Sequence, residues 1–277
     1  MLDPRHLATF AAICETGSFD RAAARVHVTP SAVSQRMRAL SDAAGGALFA
    51  RLAPAEPTAL GRRLLRHARE VAALEAGLRA ELGHDGGPRS VAVAMPADVL
   101  ASWGTAALAA VDGFRFDVTV DDQDHAAHLL RRGEVSACAA SGDPPPGCDA
   151  NPLPPLRYRA VCAPGFAARH GLPGGLAAAP MLRFDAKDGL QHRWLAACGL
   201  DADPPAHRIG GVAAFRAACL NGLGWGLNPE RLVADDLAAG GLVDLGPPLD
   251  VPLTWMVARS ARDLLAPVTA AVRRAAR

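Results

Sequence analysis

Two short breaks in the first 44 residues, Gly17-Ser18 and Thr29-Pro30, restrict the fold more than any other feature of the chain. A glycine just past a helix accepts the left-handed backbone that ends it. A Ser or Thr ahead of the next helix offers an oxygen to the unpaired N–H groups of its first turn. Pro30 then takes the first helical position, where its missing N–H would be unpaired anyway and its fixed φ already suits the helix. Leu7, Phe10, Ala11 and Cys14 recur at helical spacing before the first break, and Phe19, Ala22, Ala23 and Val26 before the second. His27-Val28 leaves only a short turn between them. Three short helices with a tight corner are expected.

The third helix, over 30–43, sorts its residues by face. Val33, Met37 and Leu40 fall on one side; Ser31, Ser34, Gln35 and Arg38 fall on the other. That second face carries hydroxyl, amide and guanidinium groups without a carboxylate, the chemistry for approaching phosphates and reading base edges. A helix-turn-helix with this helix as reader is predicted, the alternative being an ordinary amphipathic surface helix. Residues 47–51 and 54–57 form a two-stranded wing, and a long helix follows from Thr58. Its seam of Leu60, Leu64, Val71, Leu78 and Leu82 suits pairing with a second copy, or packing on its own body.

Charge divides the chain in the same place. Overall it is nearly neutral at +1, but residues 1–69 hold ten Arg against Asp3, Glu15, Asp20, Asp42 and Glu56, and the remainder is slightly acidic. A uniformly basic coat for nucleic acid is excluded; a local basic head is not. The joint is expected at 83–88, Gly-His-Asp-Gly-Gly-Pro. Six scattered cysteines without a C-x-x-C argue against a disulfide framework or zinc knuckle. The most apolar stretch, 91–111, is interrupted by Pro96, Asp98, Ser102, Gly104 and Thr105, so no membrane span is expected. The N-terminus lacks an export leader, and a cytoplasmic location is expected.

From residue 91 onward, strand and helix patterns alternate: strand 91–95, helix from Pro96-Ala97-Asp98 to about 110, strand 116–120, helix 123–132, strand 135–140. This predicts an α/β sheet, with ligands beyond the carboxyl ends of its strands, near 96–102 and 121–124. Asp121 with His125, and Asp124 with His128, have a spacing that a divalent metal could use, but solvated side chains explain them better, and no metal or cofactor is expected. No nucleophile elbow, zinc-protease motif or Walker loop is present, and Gly222 to Gly226 lacks a dinucleotide fingerprint. Binding is favoured over catalysis.

Together Ser18-Phe19, Arg21-Ala22-Ala23, Thr29-Pro30-Ser31-Ala32-Val33-Ser34-Gln35-Arg36, Leu48-Phe49-Ala50-Arg51 and Thr58-Ala59-Leu60-Gly61 resemble the winged helix-turn-helix of LysR-type transcriptional regulators. The Ser-Ala-Val-Ser-Gln-Arg string is more particular to the branch that answers to basic amino acids and controls their export. The likeness continues through Ala97-Asp98, Ser102-Trp103, Asp121-Asp122, Lys187-Asp188 and Gly222 to Gly226 around Trp225. Glu56 departs from it at a wing position that is often basic, and Asn228 stands where Leu is usual.

The resemblance implies a DNA-binding domain at 1–57, a linker helix for dimerisation at 58–83, a hinge at 84–90 and an effector domain at 91–277. The last is a two-lobed body like a periplasmic binding protein, with lobe I at 91–160 and 256–277 and lobe II at 161–255. It assigns Ser31, Ser34, Gln35, Arg36, Arg38 and Arg51 to double-stranded DNA, and implies RNA polymerase and a second copy (dimer or tetramer) as partners. A basic amino acid in the cleft would meet Asp98 and Ser102 at a helix start, Asp121 and Asp122 for a cation, and Lys187 and Asp188 from the second lobe, with Trp225 either in the pocket or in the core. Regulation by an unrelated small metabolite, or a ligand-binding or metal-binding protein whose head only dimerises, are the alternatives.

Overall fold

The computed structural model describes residues 2–81, 89–122 and 126–277. Helices α1 (Pro4–Thr16), α2 (Phe19–Arg25) and α3 (Pro30–Ala44) form the head. Gly17 adopts the left-handed conformation after α1, Ser18 caps α2 through Arg21 N–H, and Thr29 caps α3 through Ala32 N–H. Strands β1 (Phe49–Leu52) and β2 (Ala55–Pro57) make the antiparallel wing. Phe10, Ile13, Val33, Leu40 and Leu48 are sealed in the head's core, and the ring of Phe49 lies 5.2 Å from Phe10 and 5.4 Å from Phe19, tying wing to helices.

Helix α4 (Ala59–Glu81) leaves from the base of the wing. Thr58 holds the start: its Oγ1 donates to Ala47 O at 2.8 Å and accepts from Gly61 N–H at 3.0 Å, while Thr58 N–H donates to Leu48 O. The expected seam splits in two. Leu60 and Leu64 pack into the head and Val71 is half-buried, whereas Leu78 is 56% exposed beside Leu74, a residue outside the expected seam, at 61%; Leu82 lies outside the described residues. Further along the body, Arg66 and Arg69 donate to the carbonyls of Arg131 and Gly133.

The joint expected at 83–88 is outside the described residues. Strand β3 (Arg89–Met95) follows, so Arg89 and Ser90, expected in the hinge, already pair with Phe114 and Arg115. Next come α5 (Ala97–Val99), a π-helical turn at Leu100–Gly104 and α6 (Thr105–Ala109), then β4 (Phe114–Val120), α7 (Ala126–Arg131), β5 (Ala137–Ala140) and the long β6 (Cys148–Cys162). The helix expected from 123 is described from Ala126; Gln123, Asp124 and His125 are outside.

The second lobe contributes α8 (Pro164–His170), β7 (Met181–Arg183), α9 (Leu190–Ala197), β8 (Ala206–Arg208), α10 (Val212–Leu220), β9 (Gly226–Pro229), α11 (Glu230–Ala238) and β10 (Val243–Asp244). Strand β11 (Leu249–Ala258) returns to the first lobe, and α12 (Ala266–Ala275) closes the described chain on it.

The main sheet runs β10-β6-β11-β5-β3-β4, with β9 also on β6. Strands β3, β4 and β5 are parallel, as alternating strands and helices require. Strands β6 and β11 pair antiparallel from Leu249 with Tyr158 to Ala258 with Cys148, and so thread both lobes. Arg159 and Ala160, expected in lobe I, pair with β9; Thr254 and Trp255, expected in lobe II, pair with β5. The ladders of the two lobes overlap along these strands, so the changeover is spread out. Trp194, Trp225 and Trp255 anchor the core beneath. Among the described residues no helix is long and apolar enough to cross a membrane.

Candidate functional site

Two regions collect the residues singled out by sequence. On α3, Val33, Met37 and Leu40 are buried, which turns Ser31, Ser34, Gln35 and Arg38 outward together. Ser31 Oγ lies 2.9 Å from the cap Thr29 Oγ1, and Ser34 Oγ donates to Pro30 O at 3.1 Å. Arg36 is different: half-buried, it donates to Thr9 Oγ1 at 2.9 Å and braces α3 against α1. It falls off the exposed face because it follows the outward Gln35 and precedes the inward Met37 on a 3.6-residue period. Arg51, exposed on the wing, is ion-paired with Glu56 across the hairpin.

The second region is a cavity of about 400 Å³ between the lobes. The first lobe supplies Asp98, Val120, Asp121 and Asp122; the second supplies Asp185, Lys187, Asp188, Gln191, Arg193, Phe215 and Asn228, with Tyr158 of β6 between them. Among the described lining residues five carboxylates face two cations. Asp98 is held by the Tyr158 hydroxyl, which donates to Oδ2 at 2.6 Å. Burial pushes the Asp98 carboxyl above the ordinary carboxylate range; that hydrogen bond opposes the rise, and the charges of Asp188 and Asp122 add to it.

The other carboxylates partly build their own loops. Asp188 accepts from the N–H groups of Phe184 and Leu190, at 2.7 and 3.0 Å, and Asp185 accepts from Lys187 and Asp188, at 2.7 and 3.0 Å. Asp121 Oδ1 accepts from Asp122 N–H at 2.8 Å.

Two expected residues sit elsewhere. Ser102 Oγ is spent on its own helix, donating to Asp98 O at 2.6 Å, a consequence of its position one turn after Asp98. Trp225 is fully buried, donates to Ala179 O and packs on Trp194 at 5.5 Å. The glycines at 224 and 226 have no room for a side chain, so this segment wraps the core rather than the cavity. Of the Asp-His pairs whose spacing a metal could use, His125 and Asp124 lie outside the described residues, and no group of three or more metal-ligating side chains occurs among the described ones.

Sequence reasoning missed Tyr158, Asp185, Gln191, Arg193 and Phe215. Only Gln191 had a legible signal: it shares a helix face with Trp194 and Leu195, where an apolar residue is expected.

The N-terminal part matches the family described as bacterial regulatory helix-turn-helix protein, lysR family, over residues 4–62, and residues 85–277 match the LysR substrate binding domain. The HTH-type transcriptional regulator LysG of Mycobacterium tuberculosis is 40% identical over 286 residues, covering 99% of this chain and 94% of its own. The crystal structure of ArgP from Mycobacterium tuberculosis superposes with a TM-score of 0.90 at 38% identity, covering 100% of this chain and 98% of that one. Full-length LysG from Corynebacterium glutamicum, solved with bound effector Arg, gives 0.78 at 32% identity, over 99% and 98% of the two chains.

Proposed function

The chain belongs to the LysR family of bacterial helix-turn-helix regulators, and from that premise we propose that its cleft binds a basic amino acid, which shifts how its reader helices engage a promoter. The observation that carries this is the charge of the cavity, where Asp98, Asp121, Asp122, Asp185 and Asp188 surround space for one small molecule. A dibasic ligand brings two cations and one carboxylate, and the cavity answers with an excess of acceptors beside Lys187 and Arg193. The likeness to a relative solved with bound Arg supports the same ligand class.

Coupling works by linkage. A ligand that prefers one arrangement of the lobes stabilises the assembly built on it, and the DNA affinity changes by the same factor. The regulated genes are those for amino-acid export, the site of action is the cytoplasm, and RNA polymerase is the downstream partner. The role is binding, not catalysis. A second copy joins through the outward half of α4, where Leu74 and Leu78 are exposed one turn apart. Leu78→Glu is expected to move the protein toward monomer in sedimentation analysis; an unchanged mass would rule this seam out.

The test of the whole is paired. Calorimetry of the full chain with lysine, arginine and histidine should give heat with at least one, and none with all three would remove the effector claim. Arg38 is exposed at the reader face. Arg38→Ala should cost duplex affinity about ten-fold, lower the salt slope by about 1 and leave ligand binding as it was. Equal DNA binding by this variant would put the reading surface elsewhere.

A further inference from the structure

Two side-chain amides, Gln191 and Asn228, are each only 1% exposed, and both line the interlobe cavity. Asn228 directs its Nδ2 to Cys219 Sγ at 3.4 Å. Gln191 is less settled: its Oε1 is buried with no hydrogen-bond partner among the described residues. A buried carbonyl without a donor destabilises the fold, and Leu at this place would complete the apolar face that Gln191 shares with Trp194 and Leu195. An acceptor kept there at that cost points to a donor that arrives with the ligand.

Which donor follows from how the cavity is divided. Among the described residues the first lobe contributes carboxylates alone as its charged groups: Asp98, Asp121 and Asp122. The second contributes the two cations among the described lining residues, Lys187 and Arg193, which balance its own Asp185 and Asp188, and the first turns of α9 and α10, where Leu190, Gln191 and Val212 line the wall. A ligand carboxylate is therefore favoured on the second lobe by charge, since that wall carries no net negative charge against three carboxylates on the first, and by the first N–H groups of α10. The α-ammonium of an amino acid is one carbon away from that carboxylate, so it must find its acceptor on the same lobe. The distal cation, several carbons along, reaches the first.

We infer that Gln191 sets the orientation of the ligand: its Oε1 accepts an N–H of the α-ammonium, holding the amino-acid end on the second lobe while the distal cation pairs with Asp98 and its neighbours on the first. The inference rests on the basic-amino-acid reading of the cleft and adds which end goes where.

The experiment titrates full-length wild type, Gln191→Leu and Gln191→Glu with L-lysine and with 6-aminohexanoate, which is lysine without its α-amino group, and melts each ligand-free protein. Gln191→Leu should bind lysine about ten-fold more weakly, bind 6-aminohexanoate as wild type does, and melt no lower than wild type, because it removes an unpaired polar group. Gln191→Glu, which keeps the acceptor, should retain lysine binding. Unchanged lysine affinity in Gln191→Leu overturns the inference and leaves the effector reading intact. So does an equal loss on both ligands, or a fall in the ligand-free melting temperature. Loss of lysine binding in Gln191→Glu beyond that of Gln191→Leu would mean that the amide serves the carboxylate through its N–H, which also overturns it. No binding of any basic amino acid by wild type removes both claims.

Discussion

Asp98→Asn is expected to weaken binding of a basic amino acid about a hundred-fold or more while the ligand-free protein melts no lower than its parent. Asp98 is withdrawn from water far enough for burial to raise its pKa, and the Tyr158 hydroxyl fixes it at 2.6 Å. Removing one partner of a desolvated charge pair costs about 2–5 kcal/mol. Asparagine keeps an acceptor for Tyr158, so packing is preserved.

The same carboxyl makes binding depend on pH. Burial first, then the Asp188 and Asp122 charges, raise its pKa in the fold, against the Tyr158 hydrogen bond. A carboxyl raised in the native state is protonated more readily there than in the unfolded chain. The ligand-free protein therefore loses stability as pH rises from the ordinary carboxylate value through the raised one. A cation needs the ionised form, so its affinity should fall as pH drops through that raised value, and Asp98→Asn should flatten the profile. Calorimetry across that window checks both statements, and a parent-like affinity in the variant would displace Asp98 from the site.

Gly61→Ala is expected to abolish specific duplex binding and to lower the stability of the head by at least about 2–3 kcal/mol, the upper part of the range for overpacking. A Cβ at Gly61 would stand 2.1 Å from Leu48 O and 3.2 Å from its carbonyl carbon. The obstacle is backbone, so no rotamer relieves it. Helix α4 would have to leave the base of the wing and give up the Thr58 contacts to Ala47 and Leu48. Gly77, on the same helix, is the control, because a Cβ there meets nothing within 4 Å among the described residues. Gly77→Ala should raise stability by about 0.8–1 kcal/mol from helix propensity. Circular dichroism melts and gel shifts of the two variants decide it, and indistinguishable behaviour would remove the steric argument.

These two residues mark the limits of what was legible in the sequence. The head could be read almost throughout, because its helices end at local signals: Gly17, Ser18, Thr29 and Pro30 act on neighbours within four residues. Gly61 was noticed only as part of a resemblance; its reason, the approach of Leu48 from thirteen residues away, belongs to tertiary structure. In the body, Asp98, Asp121, Asp122, Lys187 and Asp188 do meet at one cavity, and their charge made them candidates. Ser102 and Trp225 were candidates by residue type, and packing assigned them to a helix and to the core. Arg36 was attached to its neighbours in a motif, although the helical period turned it inward to Thr9. Gln191 is the converse, a neutral residue whose interest lies in a missing partner.

The paired strands β6 and β11 have a mechanical consequence. Their ladder is unbroken near Tyr158 and near Cys148, but its register shifts between Val251 and Leu253, where Pro154 and Pro155 stand on one strand and Pro252 on the other. Each proline lacks the N–H that a ladder needs and fixes its own φ. The ribbon joining the lobes is thus stiff at both ends and notched at its middle, like a torsion bar filed thin at one point. A rotation of one lobe on the other would disturb the fewest ladder hydrogen bonds there. On the proposed function, a molecule held between the lobes would act on the twist of those few residues around three prolines.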